Sequence, residues 1–199
     1  MQAILSDIAI VKAGHPFRGT IPKHTEGNAH VVQIRDIDND GFILWDQLIQ
    51  TMITGRKCPD WLKTGDVLFA ARGQRNIAAC IDKVDTPTIC AAHYFLIQVQ
   101  QPSTILPQFL AWQLNQEKAK RYFAQSAEGS SQVSIRRTVL ESTPLFIPTI
   151  QEQQAIVALD RKAKQEKRVL NALINNRAQQ MQAIARELLA GTLKTSEQT

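Results

Sequence analysis

The first hundred residues carry short apolar or alternating runs, whereas from Thr149 to Ala190 apolar positions recur roughly every 3.5 residues without a single Gly or Pro. These two regimes predict a strand-rich region followed by one long helix. Strands are expected at His30–Arg35, Phe42–Trp45, Val67–Ala70, Ile77–Ile81 and Tyr94–Val99, all rich in β-branched and aromatic residues. Turn formers separate them at Gly27-Asn28, Asn39-Asp-Gly41, Gly65-Asp66 and Arg72-Gly73. Helices do not alternate regularly with the strands, so a doubly wound sheet is not expected. The fold class is therefore α/β of the α+β type. Pro107 opens a helix expected to reach about Ala124, burying Phe109, Leu110, Leu114 and Tyr122. A polar loop, Glu128-Gly-Ser-Ser-Gln132, follows, and Ser134 is placed to cap a short helix carrying Val139 and Leu140.

The strongest boundary lies where Thr143-Pro-Leu-Phe-Ile-Pro148 runs into Thr149-Ile-Gln-Glu-Gln-Gln154. Thr149 and Glu152 have the spacing of a capping box, and Gly191 closes the run at its far end. A strand-rich domain is thus expected over 1–148, a long helix over 149–191 and a flexible tail over 192–199. At 1.5 Å per residue the helix would extend about 60 Å, more than a domain of this size needs for its own core. Ile156, Ala163, Leu170 and Ile184 share one row at a spacing of seven, which Arg177 interrupts. Leu159, Leu173, Ile174, Met181 and Leu188 form a second row, interrupted by Glu166 and Lys167. So narrow a seam calls for a partner helix, as in a coiled coil.

Charge changes this picture little. The net charge is +5, with 15 Lys/Arg against 13 Asp/Glu over 1–148 and 7 against 4 over 149–190. That balance permits nucleic-acid binding without requiring it. Cys58, Cys80 and Cys90 show no CxxC spacing, which speaks against a zinc site or disulfide framework and for reduced thiols in the cytoplasm. No apolar stretch reaches membrane-spanning length, and the first residues lack the layout of a signal peptide.

Candidate chemistry mostly fails on inspection. Asp36-Ile-Asp-Asn-Asp-Gly41 imitates the start of a calcium loop, but Gln47 stands where a bidentate Glu is needed, so a turn between strands is the better reading. Asp160-Arg161-Lys162 lacks the clustered acids of a nuclease core. Gly14, Gly19 and Gly27 lack phosphate-loop spacing, and His15, His24, His30 and His93 form no metal-binding pair. No metal site, cofactor or catalytic residue is expected, and the chain is read as a non-enzyme. What remains is polar and basic. Arg72-Gly-Gln74-Arg75-Asn76 gathers groups that pair with guanine and adenine edges. Arg18 and Lys23, Arg56 and Lys57, and the set Ser130, Ser131, Gln132, Arg136 and Arg137 supply further candidates for DNA contacts.

Taken in order, these segments resemble the specificity subunit of a type I restriction-modification system, reduced to one half. The resemblance rests on Leu5-Ser-Asp-Ile-Ala-Ile-Val-Lys-Ala-Gly14, Gln33-Ile-Arg-Asp-Ile-Asp-Asn-Asp-Gly41 and Gly65-Asp-Val-Leu-Phe-Ala-Ala-Arg-Gly73. It continues in Leu106–Asn115 with Gly129-Ser-Ser-Gln132, and is strongest at Pro144–Pro148 with Ile150–Ile156. It implies a DNA-binding target recognition domain followed by a conserved-region helix for spacing and dimerisation. Members carry two such units in tandem; this sequence carries one. Two copies paired through antiparallel helices would restore the second reader and select an inverted repeat in double-stranded DNA. The resemblance further implies methyltransferase subunits as partners, which bring S-adenosylmethionine, and an optional restriction/translocase subunit. The competing expectation is an adaptor that binds protein through its helix and never reads DNA, motivated by the near-neutral balance of 1–148.

Overall fold

The computed structural model describes residues 1–54, 58–73, 75–126 and 134–190. Its elements run β1 (Gln2–Ile4), α1 (Leu5–Ile8), β2 (Ala9–Ala13), β3 (Ala29–Val32), β4 (Ile49–Thr51), β5 (Val67–Ala70), β6 (Ala78–Cys80), β7 (Thr88–Cys90) and β8 (Tyr94–Val99). After these come α2 (Pro107–Leu114), α3 (Glu117–Ser126), α4 (Arg137–Glu141), β9 (Pro144–Phe146) and α5 (Ile150–Leu189). The chain divides into two units after Val157.

The first unit is built on a four-stranded antiparallel sheet in the order β2-β8-β5-β6. All four residues of β5 are buried, because the sheet is covered on both faces. Val67 and Phe69 join Val11, Ile97, Phe109, Leu110 and Phe123 on one face, beneath α1 to α4. Leu68 and Ala70 point the other way, among Val32, Leu62, Ile81, Tyr94 and Leu96. The period of two thus reads directly as two cores. A three-stranded sheet in the order β4-β3-β7 contributes a third cluster around Val31, Ile49 and Ile89, with β3 and β7 parallel. The mixed α+β class and the long C-terminal helix match the sequence expectation.

Three local expectations are corrected. Phe42–Trp45 is not a strand: Ile43 makes only an isolated bridge to Ile37, and a 3-10 turn takes Trp45–Gln47. The Asp38 carboxylate accepts from the N–H groups of Asp40 and Phe42, both at 2.9 Å, and Gly41 supplies φ of +81°. The acidic stretch is therefore a side-chain-closed turn, as favoured above. Second, the helix from Pro107 breaks after Leu114. Asn115 turns its amide onto Ala78, accepting from the backbone N–H at 2.8 Å and donating to the carbonyl at 2.7 Å. It replaces a missing strand beside β6, and the helix resumes only at Glu117. Third, Arg136 rather than Ser134 occupies the cap position of α4, because Ser134 pairs with Arg72 instead.

At the head of α5 the capping box forms as read: the Thr149 N–H donates to Glu152 Oε2 at 2.9 Å and the Glu152 N–H to Thr149 Oγ1 at 3.3 Å. The Thr149 hydroxyl and N–H hold the Glu152 carboxyl below its usual range. A depressed carboxylate stabilises the fold above its unfolded pKa and loses that contribution as pH falls through the folded value. Acid titration followed by amide exchange should therefore show the first turn of α5 holding through the ordinary glutamate range and opening only at more acid pH, and Glu152→Gln should abolish that pH dependence.

Gln153 sits fully buried one residue further on. Its Oε1 accepts from the Leu106 N–H, and its Nε2 donates to the carbonyls of Thr104 and Pro148, each at 2.9 Å. Ile156 and Val157 pack against the same core, which carries the first unit past the Pro148 boundary. Gln153→Leu keeps the volume but orphans three backbone groups. It should destabilise the unit by about 3 kcal/mol in urea unfolding. A change under 0.5 kcal/mol would remove the clamp from the account.

Candidate nucleic-acid interface

The four-stranded sheet ends evenly at one side, where Ala13 pairs with Phe95 and Ala70 with Tyr94. Four loop segments are stitched together there by backbone hydrogen bonds. The Gly14 N–H donates to the Tyr94 carbonyl (2.9 Å), His15 to Cys90 (2.7 Å), Ala71 to His93 (2.9 Å) and Ile135 to Ala71 (2.8 Å). Bridges at His15–Ala91 and Arg72–Ser134 extend the same seam. Gly14 makes the close approach possible, since a Cβ built there would lie 2.2 Å from the Ala91 oxygen.

Two concavities open along this rim, on either side of Ala92. The first, about 540 Å³, is lined by His15, Cys58, Asp60, Arg72, Arg136 and Arg137 among others. Cys90 also lines it, with burial pushing its thiol up to about 12, so this group stays neutral. Asp60 is held by Lys12 at 2.7 Å, and Arg137 by Glu141 at 2.7 Å. The second, about 710 Å³, is lined by Phe17, Arg35, Asp38, Asn39, Arg75 and His93. Phe17 meets His15 edge-on at 4.9 Å. Arg72 and Arg75 are exposed and have no ion-pair partner among the described residues. One loop thus places an arginine in each concavity.

The structure therefore brings together Arg72, Arg136 and Arg137, and sets Arg75 next door. Arg18 and Lys23 lie exposed in the loop between β2 and β3, outside the lining of either concavity. Asn76 is engaged elsewhere: its Nδ2 donates to the Ala70 carbonyl at 2.9 Å, bracing the hairpin rather than offering a free amide fork. Arg56, Lys57, Gln74, Ser130, Ser131 and Gln132, together with the tail at 192–199, fall outside the described residues. Sequence reasoning missed His15, Arg35 and His93, which chain neighbours do not mark. The strand ends beside them were the available signal.

On α5, the Leu159, Met181 and Leu188 side chains are 70%, 64% and 65% exposed. Leu170, Leu173, Ile174 and Ile184 are exposed as well, and so is Ala163. Ile156 differs: it is half-buried against the core of the first unit. Among the described residues no helix is long and apolar enough to cross a membrane.

A strand-rich unit whose loops gather arginines at one end, joined to a helix with an uncovered apolar row, has the build of a recognition module. The chain belongs to the type I restriction modification DNA specificity domain family, which matches residues 5–174. Its fold is similar to that of the type I restriction-modification S subunit from M. genitalium, at 13% identity and a TM-score of 0.60, over 96% of this chain and 46% of that one. The HsdS subunit from Thermoanaerobacter tengcongensis matches at 16% identity and TM-score 0.64, over 100% and 50%. A chain from a structure describing complex assembly and conformational transition of the type I R-M system matches at 17% and 0.66, over 100% and 50%. The chain thus spans about half the length of the solved structures it resembles. No curated protein matches it.

Proposed function

We propose that this chain reads DNA sequence for a type I restriction-modification complex, with the loops at the open end of the sheet as its reading surface. The observation that carries this is the gathering of Arg72, Arg136 and Arg137 around one concavity, with Arg75 in the next. Exposed guanidinium groups held at one end of the sheet suit both phosphates and guanine edges. The chain itself performs no chemistry in this reading. Methyltransferase subunits carrying S-adenosylmethionine act on the base, and an optional restriction/translocase subunit completes the complex. The exposed row of α5 pairs two copies, so that two identical readers select an inverted repeat with an unread centre.

Fluorescence anisotropy against random duplex and against sites selected from a random library tests the reading. Binding should weaken with salt, the slope of log K reporting about 0.9 per phosphate contacted, and selected sites should bind at least a thousandfold tighter. Salt-insensitive or absent binding, with methyltransferase added, would favour a protein adaptor instead.

A further inference from the structure

One large apolar side chain stands out in water beside the arginine loop. Among the described residues of the first unit, Ile34 is the exposed large apolar group that lines the concavities there, and 40% of its surface is open. It begins a 3-10 turn, Ile34–Asp36, that is tied down on both sides. The buried Asp36 carboxylate accepts from the Gln33 N–H at 2.8 Å. The Gln33 carbonyl accepts from the Asp36 N–H at 2.9 Å and from the Tyr94 hydroxyl at 3.2 Å. Ile37 turns inward to the second core. Ile34 is thereby presented outward, and its branched Cβ restricts χ1, so little freedom is lost when something packs on it.

Its neighbours are cationic. Ile34 Cδ1 lies against the arginine loop, 3.6 Å from where a Cβ on Gly73 would stand. Ile34 and Arg75 together line the concavity of about 710 Å³, and both also line a smaller one of about 250 Å³ that shares Ile37 and Asp38 with it. Arg35 follows in the chain with 65% of its side chain exposed. In the major groove, base edges present donors, acceptors and one apolar group, the C5 methyl of thymine. Deoxyribose is the other apolar surface of a duplex, and it is the same on every nucleotide.

We infer that Ile34 is a specificity-determining side chain that packs on the C5 methyl of a thymine, at the base pair next to the one whose guanine Arg75 grips. This deepens the reading put forward under the proposed function and rests on it. Successive base pairs stack about 3.4 Å apart, the scale of one side-chain contact, so two side chains on one wall address neighbouring steps. The methyl leaves water against Ile34, and cytosine offers no such group at that edge.

The test uses the whole 199-residue chain and a duplex selected from a random library. Each thymine of the selected site is replaced in turn by uracil, which removes the methyl and keeps every hydrogen-bonding group. Anisotropy should show one thymine, beside the base pair at which Arg75→Ala relaxes selection, whose replacement weakens binding about fourfold, the worth of one buried methyl group. Ile34→Ala should bind the thymine site at least fourfold more weakly and bind the thymine and uracil sites equally. Ile34→Val keeps the branched carbon and should retain most of the discrimination. Both variants should melt as the parent does, since the side chain lies on the surface. Selective binding that no uracil replacement weakens would overturn the inference and leave the DNA reading standing. The same follows if the uracil effect persists in Ile34→Ala or falls away from the Arg75 position. Ile34→Ala weakening thymine and uracil sites by one factor, with the preference intact, would assign the side chain to deoxyribose. Absence of selective binding would overturn the DNA reading, and the inference with it.

Discussion

Gly14→Ala is expected to be among the most damaging single substitutions in the first unit, costing about 3 kcal/mol of stability. Its new Cβ would lie 2.2 Å from the Ala91 oxygen, 2.7 Å from the Ala91 carbonyl carbon and 2.9 Å from the Cys90 oxygen. All three are backbone atoms, and they belong to the strand end that accepts the His15 N–H. Relief requires the two segments to part, and the hydrogen bonds at 2.9 and 2.7 Å on either side part with them. For a chain of this length the loss should lower the melting midpoint by roughly 6–12 °C. Gly19→Ala is the control: its φ is +74° but nothing lies within 4 Å of the added carbon, so only a backbone cost of about 1 kcal/mol is expected. Urea unfolding of both variants checks the contrast. Equal losses at the two positions would mean the close approach is not what makes Gly14 special.

The second large effect is on DNA affinity. Arg75→Ala should cost about 1–3 kcal/mol and relax selection at a single base position, as expected for a guanidinium that grips a guanine edge. Arg72 sits with Arg136 and Arg137 around the other concavity, a concentration of positive charge suited to phosphate. Arg72→Ala should therefore weaken every sequence alike and reduce the salt slope by about one contact. The double variant should lose the sum of the two single losses if the two side chains work independently. Library selection on each variant separates the cases. If Arg75→Ala weakens all sequences equally, its role passes to phosphate.

Much of this architecture could be read from residue order. Val67–Ala70 and Tyr94–Val99 were bounded correctly because flanking turn residues and unbroken apolar character leave few alternatives. The Thr149–Glu152 box marked the start of α5 for a purely local reason, since both partners lie within one turn. Failures came where a distant group decides the local conformation. Asn115 ends a helix because Ala78, remote in sequence, lies on the edge strand β6, whose outer N–H and carbonyl the Asn115 amide pairs with. Ser134 leaves its cap for Arg72, and short strands such as Thr88–Cys90 exist only through pairing with β3. The candidate site divides the same way. Basic loop residues were visible singly, but the meeting of Arg72 with Arg136 and Arg137, and the part of His15 and His93 in the rim, depend on a seam of long-range backbone bonds. Asn76 looks like a base reader by residue type, and its Nδ2 is given to the Ala70 carbonyl of its own hairpin.

The pairing of β1 with β9, in which Gln2 lies opposite Phe146 and Ile4 opposite Pro144, means that the strand-rich unit is entered and left at one spot. A segment whose two junctions are neighbours can be excised, doubled or traded between genes without rerouting the surrounding polypeptide. Recombination at those junctions would exchange the strand-rich unit in one event and leave the α5 sequence beyond it unchanged.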